Sequence, residues 1–165
     1  MGLFGFMKKK EADVHGSENA IVAVADGEVI DVAEVSDPVF AQKMMGDSIA
    51  FRFSEDRVTI TSPADGELTA LFPTGHAFGV TMKNGVELLV HIGIDTVNAK
   101  GDGFTLHKKK QGDQVKAQEA IVDVDLKKLG VHYDMSTMLI ITNANGQEIH
   151  FIAPGRVRRG QSVIV

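Results

Sequence analysis

The chain of 165 residues is 44% hydrophobic with a formal net charge of −5, enough apolar content for one core and too short for two comfortable domains. It has no cysteine, which excludes disulfide scaffolds, thiolate zinc sites and cysteine nucleophiles and fits a reducing, cytoplasmic setting. Its basic residues form only short runs, Lys8 to Lys10 and Lys108 to Lys110, which argues against a nucleic-acid surface, and no apolar stretch approaches the ~20 residues of a membrane helix.

Residues 1–18 read as a flexible N-terminal leader and residues 19–165 as the folded domain. In the leader, Leu3, Phe4, Phe6 and Met7 run into Lys8, Lys9 and Lys10; a disordered segment is the preferred reading, with weak membrane-surface contact as the alternative. Short β-type segments follow: Ile21 to Val24, Glu28 to Val32, Ile49 to Phe53, Arg57 to Thr61, Glu67 to Leu71 and Ala77 to Met82. Further strands are expected at Val86 to Ile94, Ala120 to Val124, Met138 to Thr142, Glu148 to Ile152 and Ser162 to Val165. Turn chemistry separates them at Asp26-Gly27, Asp65-Gly66, Asn84-Gly85, Asp102-Gly103 and Asn145-Gly146. The pattern implies an all-β sandwich or barrel with short helices. Asp37 to Gly46 reads as one helix, with Asp37 as N-cap, Pro38 in the first turn and Gly46 closing it; Leu126 to Leu129 reads as another. Ala-Asp-Gly-Glu occurs at Ala25 to Glu28 and again at Ala64 to Glu67, through internal duplication or ordinary turn chemistry.

The strand Val86 to Ile94 sorts the histidines. Alternation puts Val86, Leu88, Val90, Ile92 and Ile94 toward the core and Glu87, Leu89, His91 and Gly93 on the other face. Asn84-Gly85 predicts a two-residue type I′ hairpin, which pairs Lys83 with Val86 and places Phe78 opposite His91 and His76 opposite Gly93. His76 and His91 are then diagonal neighbours on one face, beside Phe78 and Leu89, with Ala77 and Gly79 buried. Such a pair can bind metal, do acid–base chemistry or carry a covalent intermediate.

Phe72-Pro73-Thr74-Gly75-His76-Ala77-Phe78, followed by Gly85-Val86-Glu87-Leu88-Leu89-Val90-His91-Ile92-Gly93-Ile94-Asp95-Thr96-Val97, resembles the signature of the glucose-type EIIA component of the bacterial phosphoenolpyruvate:sugar phosphotransferase system. Asp37-Pro38-Val39-Phe40-Ala41, Met45-Gly46-Asp47, Ser62-Pro63-Ala64-Asp65-Gly66 and Gly101-Asp102-Gly103-Phe104 agree in order. The resemblance implies a compact antiparallel β-sandwich of the duplicated hybrid motif type and a phosphotransferase activity carried by phosphohistidine. His91 corresponds to the phosphoryl acceptor, modified on Nε2; His76 to the histidine that hydrogen-bonds the phosphoryl group; Thr74 to the residue orienting His76. Phe40, Met45, Phe72, Phe78, Leu89, Asp95 and Val97 make up the expected docking rim. The implied partners are the histidine phosphocarrier protein as donor and a cysteine of the EIIB domain of a sugar permease as acceptor, with regulated permeases or kinases bound in the unphosphorylated state. No cofactor is required, and zinc is accessory, bridging His76, His91 and a partner's carboxylate.

Two rivals are weaker. A metallopeptidase-type zinc site wants a His-x-His pair, and position 89 is Leu. A lipoyl- or biotin-type carrier would use Lys116 after the turn Gly112-Asp113-Gln114-Val115, yet Lys116 is expected within a strand rather than at a hairpin tip. His15, His107, His132 and His150 read as surface residues.

Overall fold

Alternating apolar residues build most of the computed structural model, which describes residues 19–165; the expected leader lies outside the described residues. Its strands are β1 (Gly27–Ile30), β2 (Asp47–Arg52), β3 (Arg57–Thr61), β4 (Gly66–Leu71), β5 (Ala77–Thr81), β6 (Glu87–Ile92), β7 (Phe104–Leu106), β8 (Gln114–Val115), β9 (Ala120–Asp125), β10 (Thr137–Asn143) and β11 (Gly155–Val157). Two one-turn helices, α1 (Pro38–Ala41) and α2 (Leu126–Leu129), and two 3₁₀ turns, Val32–Glu34 and Thr96–Ala99, complete it. Among the described residues no helix is long and apolar enough to cross a membrane.

All ladders are antiparallel, in an eight-stranded sheet of order β11-β1-β2-β10-β6-β5-β4-β8 and a three-stranded sheet of order β3-β9-β7. One face of the large sheet supplies Val29, Phe51, Leu139, Val90 and Phe78 to the main core, which Ile60, Val122 and Val124 of the small sheet complete. The other face is apolar too. Ala50, Met138 and Ile140 form a second cluster under Val32, Val35 and Phe40, with Leu89 packed against its edge. Alternation therefore separates two apolar environments rather than core from water.

The expected strands at 21–24, 148–152 and 162–165 reduce to isolated bridges, Val22 with Ser162 and Phe151 with Ile164. Consecutive amides there bond to different segments, Val22 N to the Pro63 carbonyl and Ala23 N to that of Gln161, so no ladder propagates. The expected helix at 37–46 ends at Ala41, because Lys43 turns left-handed (φ 56°). Asp37 caps it as expected, its carboxylate accepting from Val39 N. The strands β7 and β11 were not anticipated, and β8 falls on Gln114–Val115, read as a turn, instead of on the strand expected at Lys116; all three are two or three residues long, too short to show a period.

Hydrogen bonding decides the meaning of the repeated tetrapeptide. Ala23 N donates to the Gln161 carbonyl and Gly160 N to that of Ala23, while Ser62 N donates to the Glu119 carbonyl and Gln118 N to that of Ser62. Asp26 Oδ1 accepts from Arg159 N at 2.8 Å, and Asp65 Oδ1 accepts from Ala117 N at 2.7 Å. Two matching turns, Lys116 to Glu119 and Arg158 to Gln161, are both tied back by a side-chain oxygen at 3.1 Å. Repeated long-range bonds of this kind are duplication, not turn chemistry alone. They also place Lys116 at the start of a turn just after β8, rather than within a strand.

The hairpin between β5 and β6 departs from expectation by one residue. Ala77 pairs with His91, Phe78 with Val90 and Gly79 with Leu89. Gly85 N donates to the Met82 carbonyl and Met82 N to that of Val86, enclosing the three-residue loop Lys83, Asn84 and Gly85. Only Gly85 is left-handed (φ 87°), so this is a type I turn with a glycine bulge instead of the two-residue I′ form. A one-residue slip exchanges the faces of β5. Phe78 consequently lies in the main core at 1% exposure and is withdrawn from the docking rim, while Ala77 and Gly79 share the face of His91. Phe78→Ala should therefore lower unfolding stability by about 3–5 kcal/mol, whereas Phe72→Ala, at an exposed position, should cost less than about 1 kcal/mol, as read from denaturant titration.

Candidate functional site

His91 lies on β6, on the face opposite Leu88, Val90 and Ile92, as alternation predicts. After Ile92 the chain leaves the sheet because Gly93 is left-handed (φ 76°), and this turn brings the Gly93 carbonyl back to His91 Nδ1 at 2.8 Å. A carbonyl can only accept, so in the neutral ring Nδ1 carries the proton and Nε2 keeps its lone pair. His76 precedes β5, at the end of a turn closed by Gly75 N donating to the Phe72 carbonyl. Its own carbonyl accepts from Ile92 N, not opposite Gly93 as the I′ register required. Alternation has no hold at this position outside the strand. The two imidazoles meet across the end of the sheet, with ring centroids 5.4 Å apart and planes at 78°. Directly opposite His91 stand the methyl of Ala77 on β5 and Met138 on β10.

His76 is buried, and Thr74 Oγ1 lies 2.5 Å from its Nδ1. With both Nδ1 atoms engaged inside the protein, the Nε2 atoms are those left for an outside partner. Phe40 from α1 packs against His91 (centroids 4.9 Å), and Phe72 meets His76 edge-on (5.2 Å). Burial holds the His91 imidazole below the ordinary 6.5, with a further lowering from His76; the Gly93 carbonyl and the carboxylates of Asp37 and Asp95 oppose it. Burial lowers His76 as well. Both shifts favour the neutral form of the rings.

Of the residues expected in the rim, Met45, Phe72 and Val97 are exposed, Leu89 is half-buried, and Asp95 is exposed in a left-handed conformation. Phe40 is largely covered. Val39, within α1, and Met44, in the turn after it, are further exposed apolar residues and were not anticipated, because a helix expected to run to Gly46 gave no reason to single them out. Asp37 was expected only as a cap, yet its charge reaches His91. Of the remaining histidines, His107 Nε2 contacts Asp123 Oδ1 at 2.9 Å and His150 Nε2 contacts Glu148 Oε1 at 3.0 Å, away from the pair, and His132 is exposed. Among the described residues no group of three or more His, Asp or Glu is placed to hold a metal ion.

The family model described as the phosphoenolpyruvate-dependent sugar phosphotransferase system, EIIA 1, matches residues 19–147. The chain belongs to this family. A glucose-specific EIIA component from Halalkalibacterium halodurans is 43% identical over 143 residues, covering 86% of this chain and 81% of that protein. A glucose-specific EIICBA component from Staphylococcus carnosus is 36% identical over 159 residues, covering 95% of this chain, which spans only 23% of that longer protein. Among solved structures, glucose permease IIA from Mycoplasma capricolum superimposes with a TM-score of 0.81 at 36% identity, covering 88% of this chain and 93% of that one. The EIIA fold is thus the β-sandwich architecture anticipated from the strand pattern.

The neutral imidazoles of this EIIA chain set a sign for its pH dependence. Because both folded-state values lie below 6.5, the unfolded chain takes up protons first as pH falls. Their contribution to stability is full above pH 6.5 and is lost as pH falls from there through the folded-state values. NMR titration should find both rings titrating below 6.5, and replacing both by Gln should flatten the stability profile in that window.

Proposed function

We propose that this EIIA chain is a phosphocarrier that accepts a phosphoryl group on His91 Nε2 and passes it on. The observation that carries this reading is the hydrogen bond from His91 Nδ1 to the Gly93 carbonyl, which in the neutral ring leaves the lone pair on Nε2. On acceptance, Nε2 bonds to phosphorus as the donor's phosphorus–nitrogen bond breaks; on donation, an incoming thiolate bonds to phosphorus as the Nε2–phosphorus bond breaks. Such transfer has a loose, near in-line transition state, so positioning and charge stabilisation are the protein's main tasks.

His76 suits the stabilising role. If the Thr74 hydroxyl donates to Nδ1, the proton of His76 lies on Nε2, where it can be given to phosphoryl oxygens as a hydrogen bond without a permanent positive charge. That moderation keeps the transfer reversible. The apolar surface of Phe40, Met45, Phe72, Leu89 and Val97, with Asp95, serves as the rim on which partners dock and from which water is displaced. The donor is the histidine phosphocarrier protein and the acceptor a cysteine of an EIIB domain, glucose-specific by likeness to the relatives; the fusion of EIIA to EIIC and EIIB named in the S. carnosus protein supports this pairing. The same rim would receive regulated permeases or kinases when His91 is unmodified. Zinc has at most an accessory place in this reading: among the described residues the two imidazoles fall short of the four ligands zinc takes, so a partner would complete the set.

In a reconstituted transfer assay with the general phosphotransferase proteins, His91→Ala should abolish acid-labile labelling. His76→Gln should still be labelled but pass the group on at least about tenfold more slowly. Label persisting on His91→Ala would overturn the assignment.

A further inference from the structure

The turn that presents the Gly93 carbonyl to His91 is held at three points. Gly93 N donates to the Ser136 carbonyl (3.1 Å) and Ile94 N to the Asp134 carbonyl (2.8 Å). The third bond is the only one made by a side chain: Thr96 Oγ1 donates to the Ile92 carbonyl at 2.5 Å. Thr96 is fully buried, at 0% exposure, where an unpaired hydroxyl or carbonyl would be costly. Its methyl closes the space beside Gly93, since a Cβ built there would lie 2.5 Å from Thr96 Cγ2. Ile92 is thus clamped on both sides, its N–H to the His76 carbonyl (2.7 Å) and its C=O to Thr96.

We infer that Thr96 is a positioning residue for phosphoryl transfer: its hydroxyl fixes the Ile92–Gly93 peptide, so that the Gly93 carbonyl holds the His91 proton on Nδ1 and leaves Nε2 as the nucleophile. The inference rests on the reading of His91 as the acceptor and adds a residue that touches neither the phosphoryl group nor the imidazole. Thr96→Val keeps the methyl and the shape but strands the Ile92 carbonyl; Thr96→Ser keeps the hydroxyl and removes the methyl. The two variants separate hydrogen bonding from packing.

The test is long-range ¹H–¹⁵N NMR of ¹⁵N-histidine-labelled full-length protein at pH 8, paired with the rate of phosphorylation by the phosphorylated histidine phosphocarrier protein. Wild type should show His91 with Nδ1 protonated and Nε2 bare. Thr96→Val should move both nitrogen shifts toward tautomer averaging and slow the maximal rate about tenfold or more, with the donor concentration at half-maximal rate little changed. Thr96→Ser should restore the wild-type signature and most of the rate. Wild-type shifts and rate in Thr96→Val would overturn the inference, as would equal losses in both variants, which would point to packing. If Thr96→Val does not fold, Thr96→Ser alone decides, by keeping or losing the signature. Failure of the wild-type protein to be phosphorylated would sink the phosphocarrier reading instead, while the tautomer signature still judges Thr96.

Discussion

In the proposed reading, a backbone carbonyl aimed at one imidazole nitrogen sets the chemistry of this protein. Neutral histidine can carry its proton on either nitrogen, and only the bare one can attack phosphorus. The Gly93 carbonyl, 2.8 Å from His91 Nδ1, removes that choice without spending a charge. A carboxylate in the same place would also fix the tautomer, but it would raise the pKa and favour the imidazolium, which has no lone pair to offer. The carboxylates of Asp37 and Asp95 act on His91 only at longer range, and burial outweighs them.

The rest of the fold serves that geometry. Only a residue free of Cβ fits the left-handed turn at Gly93, tucked against the Thr96 methyl, the Met135 sulfur and the Asp134 carbonyl. With β1 matched to β4 by the repeated tetrapeptide and its bonds, the order β11-β1-β2-β10 from one edge of the large sheet parallels β8-β4-β5-β6 from the other. Following the ladders from Glu28–Arg52 and Glu67–Thr81 inward aligns Thr137 with Leu88, and hence Ile140 with His91. In one half, that position is an isoleucine buried under Val32, Val35 and Phe40. In the other half the cover stops short, Phe40 touches the imidazole, and the histidine reaches the surface. Duplication supplied two equivalent positions; the short helical cap between β1 and β2 closed one and left the other open.

How much of this was legible in the sequence depended on periodicity. Leu88, Val90 and Ile92 against His91 is a clear two-residue alternation, and its facing was read correctly. The Asn84-Gly85 signal located the hairpin but not its loop length, since the same dipeptide fits a two-residue I′ turn and a three-residue loop ending in a glycine bulge. That single residue misplaced Phe78 and turned Ala77 and Gly79 to the wrong face. The histidines met nonetheless, because His76 lies outside β5 and its direction follows the Phe72 to Gly75 turn, which no alternation rule describes. Alternation and register singled out His76 and His91 as a pair; their separate roles, and Thr74, came from the resemblance to a family signature. The second apolar cluster was beyond reach of pattern, since a sheet covered on both faces shows no polar side to count from.

The central claim is that His91 reacts through Nε2 because Nδ1 is already bonded to Gly93. The most direct test is ³¹P–¹⁵N correlation NMR on the phosphorylated, ¹⁵N-histidine-labelled protein. The account predicts one phosphohistidine, at His91, with phosphorus coupled to Nε2 and Nδ1 still protonated. Phosphorus coupled to His91 Nδ1, or to either nitrogen of His76, would contradict it.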